Sequence, residues 1–146
     1  MLRVILLAGL ALAASAGSAL AQEGAMKPGY WKVTNQISAV FSKTSQEMRC
    51  LSPSDIAKFM SGPSNRHYDC NYPTRRFEDG KITLAGHCVD KYGKKAEVLA
   101  TGAYSPIAFS LHAKVAASYA GLPIHARFTT EAKRIGDVCP VGAAKG

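Results

Sequence analysis

The feature that most narrows what this chain can become is a pair of alternating runs facing each other across Asp79-Gly80, between His67 and Asp90. A two-residue hairpin turn holds its central residues at positive φ, which Gly adopts without penalty and Asp tolerates. Each arm carries one cysteine, Cys70 and Cys88. Tyr72-Pro73 on the first arm predicts an edge strand or an irregularity, because proline cannot donate to a ladder.

The same period of two recurs along the chain. After Pro28-Gly29, Trp31, Val33, Ile37, Ala39 and Phe41 fall on one face and Lys32, Thr34, Gln36 and Ser38 on the other. Lys43 to Arg49 predicts a returning strand that ends at Cys50. Ala96, Val98, Ala100 and Gly102 share a face, as do Ile107, Phe109, Leu111, Ala113 and Val115, and then Ile124, Ala126, Phe128, Thr130 and Ala132. Such alternation marks strands buried on one side only. Ser52-Pro53-Ser54-Asp55 breaks the pattern with a cap, a proline at the first helical position and an acid three residues after the cap. It predicts one short helix near residues 53–60, with Ile56, Phe59 and Met60 on its apolar face, stopped by Ser61-Gly62-Pro63.

The fold class is therefore mostly β: a single-domain antiparallel meander of about seven strands, forming a strongly curved sheet or small barrel so that its apolar face is covered. Trp31, Phe41, Phe109 and Phe128 are its natural core aromatics. The small residues Ala96, Ala100, Gly102, Ala113 and Ala126 leave room on the inner face for a ligand, or let two layers pack closely.

Met1 to Ala21 has the form of a cleaved signal peptide: Arg3, then a short apolar run from Val4 to Ala14, then Ala19-Leu20-Ala21. The expected organisation is residues 1–21 signal peptide, 22–140 one β domain and 141–146 a flexible tail. No cysteine follows the cleavage point to carry a lipid, and no later stretch suits a transmembrane segment, so the expected location is periplasmic or secreted. Without Arg3 there remain 17 basic and 10 acidic side chains, a net charge of +7. In an exported chain that excess fits an anionic lipid, an acidic glycan or an envelope protein better than nucleic acid, and it also simply aids solubility.

Cys50, Cys70, Cys88 and Cys139 make an even set, which in an exported chain predicts two disulfides. Three pairings are open. A hairpin already holds Cys70 beside Cys88, so the pairing Cys50–Cys70 with Cys88–Cys139 is favoured: it pins the helical excursion and the C-terminus, each bridge contributing roughly 3–4 kcal/mol.

Catalytic chemistry finds little footing. There is no Gly-x-Ser-x-Gly turn, no Gly-rich phosphate loop before a helix, and no close carboxylate pair away from the Glu78-Asp79 turn. The expectation is a non-enzymatic protein with no cofactor. His87, His112 and His125 sit opposite the apolar positions of their strands and would make a metal site only if those strands are neighbours in the right register. Arg75-Arg76, Lys91 with Lys94-Lys95, and Lys133-Arg134 would make an anion-binding rim only if they gather at one end of the sheet. The ligand-binding candidates are Trp31, Phe109 and Phe128 as an apolar lining, with Arg75, Arg76, Lys94 and Lys95 as head-group contacts.

Pro28-Gly29-Tyr30-Trp31, Cys50-Leu51-Ser52-Pro53, Asp69-Cys70, Cys88 and Gly136-Asp137-Val138-Cys139-Pro140 occur in one order. Together they resemble the domain-of-unknown-function 3617 family of small exported proteobacterial proteins. The resemblance spans nearly the whole chain after residue 21. It implies an exported location, a four-cysteine framework and a β architecture, and brings no catalytic residues. The expected function is binding of a small apolar or amphipathic anionic ligand within the curved sheet. The alternatives are a protein–protein module of the cell envelope, or a histidine metal-binding module.

Overall fold

A computed structural model describes residues 24–64 and 67–145; the expected signal peptide lies outside the described residues. The strands are β1 (Gly29–Ser38), β2 (Ser42–Leu51), β3 (Tyr68–Glu78), β4 (Lys81–Asp90), β5 (Lys95–Tyr104), β6 (Ala108–Tyr119), β7 (Leu122–Gly136) and the two-residue β8 (Ala144–Lys145). One helix, α1 (Pro53–Met60), joins β2 to β3. All strands lie in one sheet, in the order β3-β4-β5-β6-β7-β1-β2-β8. The seven long strands pair antiparallel, and the sheet curls without closing.

The order explains the shape. β3 to β7 run as a simple meander, but β1 docks on β7, so the first hairpin becomes the far wing of the sheet. Consecutive strands β2 and β3 thus stand at opposite sides of the curl, and α1 crosses between them over the inner face. Its Phe59 ring packs edge-on against Phe109 of β6, with centroids 4.0 Å apart. The helix is built as its sequence asks: the Ser52 hydroxyl accepts from the Asp55 N–H, and an Asp55 carboxylate oxygen accepts from the Ser52 N–H at 2.9 Å. The Ser52 hydroxyl, which also donates to the Asp55 carboxylate, and then the Ser52 N–H hold the Asp55 carboxyl below its ordinary value.

The inner face follows the alternating positions. Trp31 and Val33, Ile82 and Leu84, Ala100, and Phe109, Leu111 and Ala113 form the core, joined by Met26 and by Ile56, Phe59 and Met60 of the helix. The Trp31 indole N–H donates to the Lys27 carbonyl at 3.1 Å, so the one tryptophan is buried with its polar atom paired. At Gly86 and Gly102 the neighbouring strand comes too close for a side chain. A Cβ on Gly86 would stand 2.0 Å from the Asn71 carbonyl oxygen, and one on Gly102 would stand 2.0 Å from that of Ser110.

Asp79-Gly80 turns as expected, with φ of 51° and 72°. At Tyr72-Pro73, two residues of β3 oppose the single Gly86 of β4, a bulge that accommodates the proline on an edge strand. Ala120-Gly121 makes a second turn of positive φ, and Pro123 follows inside β7. Its lack of an N–H is harmless there, because β1 ends at Ser38 opposite Arg127 and never reaches that level of β7.

Three expectations are corrected. The disulfides are Cys70–Cys88 and Cys50–Cys139, not the favoured Cys50–Cys70 and Cys88–Cys139. Cys70 and Cys88 are directly opposed in the hairpin register with Cα atoms 4.0 Å apart, which leaves neither within reach of a distant partner. Phe41 is not core: β1 stops at Ser38, residues 39–41 turn, and the ring stands in solvent. The tail is not wholly frayed: Cys139 ties it to Cys50, and Ala144–Lys145 then pairs parallel with Arg49 and Cys50.

Candidate functional site

The inner face is filled at one end and hollow at the other. Where the β3–β4 and β5–β6 turns lie, α1 and Met26 cover Trp31, Ile82, Leu84 and Phe109. Toward the β4–β5 and β6–β7 turns neither α1 nor Met26 reaches the face, and the described residues leave a groove of about 360 Å³ there, with Pro63 and Ser64 at its side. Its floor is Val98, Leu111, Ala113, Val115 and Phe128, from three adjacent strands. Its near wall is Tyr68, Tyr72 and the Cys70–Cys88 bridge. A smaller hollow of about 90 Å³ continues beneath Phe59 and shares Pro63, Leu111 and Thr130 with the groove.

The groove exists because of side-chain size. Ala96, Ala113 and Ala117 occupy inward positions where Leu or Phe would fill the space, while the bulge at Tyr72-Pro73 swings the Tyr72 ring against the opening. The Tyr72 hydroxyl donates to the Pro63 carbonyl at 2.6 Å and lies 3.8 Å from the Cys88 sulfur, which ties the segment after α1 to the groove wall. Burial pushes the Tyr72 phenol above its usual value. Polar groups are few. Thr130 donates to Asn35 Oδ1 at 2.8 Å, and Asn35 in turn donates to Glu47, so the polar residues of the β7–β1–β2 wing satisfy one another. The pocket is thus suited to holding an apolar body, its polar side chains among the described lining residues being the hydroxyls of Ser64, Tyr68, Tyr72 and Thr130.

The expected ligand residues are only partly brought together. Phe128 lines the groove and Phe109 the small inner hollow. Trp31 lines neither, being fully buried at the filled end. Arg75 stands at the outer edge beside Ser61, Asn71 and Pro73, and Arg76, the next residue of the strand, faces the other side. Lys91, Lys94 and Lys95 lie at the open end, whereas Lys133 and Arg134 lie at the opposite one. The basic pairs therefore do not form a single rim. Arg134 is committed to structure: it donates twice to the Pro28 carbonyl and pairs with Asp137.

The histidines do not converge. His87 and His125 share a cross-strand row, but Glu97 of β5 and Ala116 of β6 stand between them. His112 lies four residues along β6 from that row, beside Thr129 at 3.3 Å. At about 4.8 Å per strand and 3.4 Å per residue, these separations are too wide for one ion. No group of three ligating side chains occurs among the described residues.

Reading single residues missed Tyr68, Tyr72, Val98, Leu111 and Val115. The last three were visible as inward positions of their runs, but their meeting depends on which strands are neighbours. Tyr72 carried a signal of its own, an aromatic ring beside a proline in a strand.

A family model described as "Protein of unknown function (DUF3617)" matches residues 26–139. No curated protein and no solved structure matches the chain.

Proposed function

The chain belongs to the DUF3617 family, and from that premise we propose that it is a non-enzymatic binding protein of an oxidising compartment, the periplasm or the exterior. Its ligand is a small apolar or amphipathic molecule held in the groove of the curled sheet. The observation that carries the reading is the groove itself: about 360 Å³, floored by Val98, Leu111, Val115 and Phe128, open at one end and stopped by α1 at the other. Small-molecule sites have this size and apolar character. Two disulfides, with no cysteine free among the described residues, fit the compartment. The division of the basic pairs between the two ends leaves the apolar body, rather than a negative head group, as the main determinant of binding.

Native mass spectrometry of the protein purified from its own envelope tests the reading, alongside added palmitate and lysophosphatidylglycerol. A mass lost on denaturation is expected in the wild type and not in Ala117→Phe, which fills the groove. Ala116→Phe, on the outer face, is expected to keep it. A wild type that stays without ligand under both conditions, or a filled groove that still binds, would overturn the proposal.

One observation favours a protein partner as the second reading. Ser42 to Met48 of β2 pair only with β1 among the described residues, leaving one edge for strand addition. Lys43 and Glu47 on that edge discourage indiscriminate pairing.

A further inference from the structure

The antiparallel register points three turns toward the open end of the sheet: residues 91–94 between β4 and β5 and 120–121 between β6 and β7 at one level, and residues 39–41 between β1 and β2 set back, since β1 ends at Ser38 opposite Arg127. Each of these tips presents large apolar side chains to solvent. Val40 is 93% exposed, Phe41 71%, Tyr92 74% and Leu122 68%. An exposed leucine alone means little, but apolar and aromatic residues on three neighbouring tips form a set. Lysines flank them: Lys43 beside Phe41, and Lys91, Lys94 and Lys95 around Tyr92, with the Lys91 ammonium 4.9 Å from the Tyr92 ring centre.

Acids at this end are Asp69, Asp90 and Glu97, and one Asp90 oxygen already accepts from the Tyr92 and Lys94 N–H groups. The opposite end differs. Glu78, Asp79 and Asp137 stand there among its basic residues, and its exposed large apolar side chains among the described residues, Ile107, Ile135, Val138 and Val141, include no aromatic.

From this distribution we infer that the open end of the sheet docks on an anionic lipid bilayer. Tyr92, Phe41, Val40 and Leu122 enter the interface, and the lysines rest against the head groups. Aromatic and aliphatic tips ringed by lysine match the depth profile of a bilayer surface, apolar inward and negative outward. The groove opens at the same end, since its lining residues Tyr68 and Ala96 adjoin the 91–94 turn and Ala117 the 120–121 turn. Docking therefore sets the groove mouth against the hydrocarbon boundary. The inference goes beyond the binding proposal and stands without it.

The test is sedimentation of the disulfide-bonded protein with vesicles of phosphatidylcholine and phosphatidylglycerol, 3:1, and with phosphatidylcholine alone. Binding to the anionic vesicles is expected. It should be about tenfold weaker or more without phosphatidylglycerol or in about 0.5 M salt, as each lysine near a charged surface is worth about fivefold. Phe41→Ser with Tyr92→Ser and Leu122→Ser should lower it about tenfold or more. Ile107→Ser with Val138→Ser, at the other end, should leave it unchanged. Circular dichroism melts check that each variant folds, and Tyr92→Ser alone replaces the triple variant if that one does not. Independently, the Leu122→Trp indole should be quenched by brominated acyl chains above the wild-type background from buried Trp31. No binding to anionic vesicles, equal losses from both ends, an unquenched indole, or tip-dependent capture of an envelope protein without vesicle binding would each overturn the inference.

Discussion

Gly102→Ala tests the close approach of β6 to β5 at Gly102. The added Cβ would stand 2.0 Å from the Ser110 carbonyl oxygen and 3.0 Å from the Leu111 Cα, both backbone atoms of β6. To reach even a tight 3.0 Å contact, β6 must withdraw by about 1 Å from β5. Both strands are internal, with β4 and β7 on their far sides, so the shift cannot be absorbed at an edge. Overpacking costs about 1–3 kcal/mol, and stretching the ladder bonds near Gly102 and Ala103 adds about 1–2 kcal/mol. The smaller conformational freedom of alanine in the unfolded chain returns about 0.4–1 kcal/mol. The net loss is about 2–4 kcal/mol, or a Tm lower by about 8–16 °C in a domain of this size. Gly86→Ala provides the internal comparison. Its Cβ would also stand 2.0 Å from a carbonyl oxygen, that of Asn71, but Asn71 lies on the edge strand β3, where the bulge at Tyr72-Pro73 can give although Cys70 before it is bridged to Cys88. Its loss should be clearly the smaller. Thermal and urea melts followed by far-UV circular dichroism measure both. A Gly102→Ala variant within about 2 °C of wild type, or one less affected than Gly86→Ala, would refute the account of this close approach.

Peptide mapping without reduction should recover Cys50 linked to Cys139 and Cys70 linked to Cys88. Removing the first bridge by paired alanine substitutions should cost about 4–5 kcal/mol, since it closes a separation of 89 residues, and removing the second about 3 kcal/mol for 18; melts of the two double variants in the opposite order would contradict this. Tyr72→Phe should cost about 0.5–1.5 kcal/mol through its lost bond to the Pro63 carbonyl. Because burial raises the Tyr72 pKa, its share of stability is complete below the unfolded tyrosine value near pH 10 and is lost as pH rises through the folded value. Denaturation titrated above pH 10 should therefore fall more steeply in the wild type than in Tyr72→Phe, and parallel curves would count against the burial.

Much of the architecture is legible because it is local. A hairpin turn depends on two adjacent residues, so Asp79-Gly80 declares itself, and so does the capping box at Ser52 and Asp55. Alternation is equally local, and it placed Val98, Leu111 and Phe128 on the inner face before any neighbour was known. It failed at Phe41, where the period continued past the end of the strand into a turn, since periodicity records side-chain type and not where pairing stops.

The disulfides show the limit from the other side. Chain entropy favours long loops in general, but the pairing is decided by which sulfurs the folded backbone sets face to face, and the hairpin register decides that for Cys70 and Cys88. The histidines and basic pairs depended in the same way on strand neighbours and strand ends, which the sequence leaves open.

By itself, then, the sequence determined the strands, the helix, the inward residues and the presence of two bridges, because each follows from contacts a few residues apart. The tertiary structure decided that β1 docks on β7. That long-range pairing sends β2 and β3 to opposite sides of the curl, draws α1 across one end of the inner face and leaves the other open as a groove. No local pattern encodes it, because the free energy that selects it comes from burying Trp31, Leu84 and Phe109 together, from strands far apart in the chain.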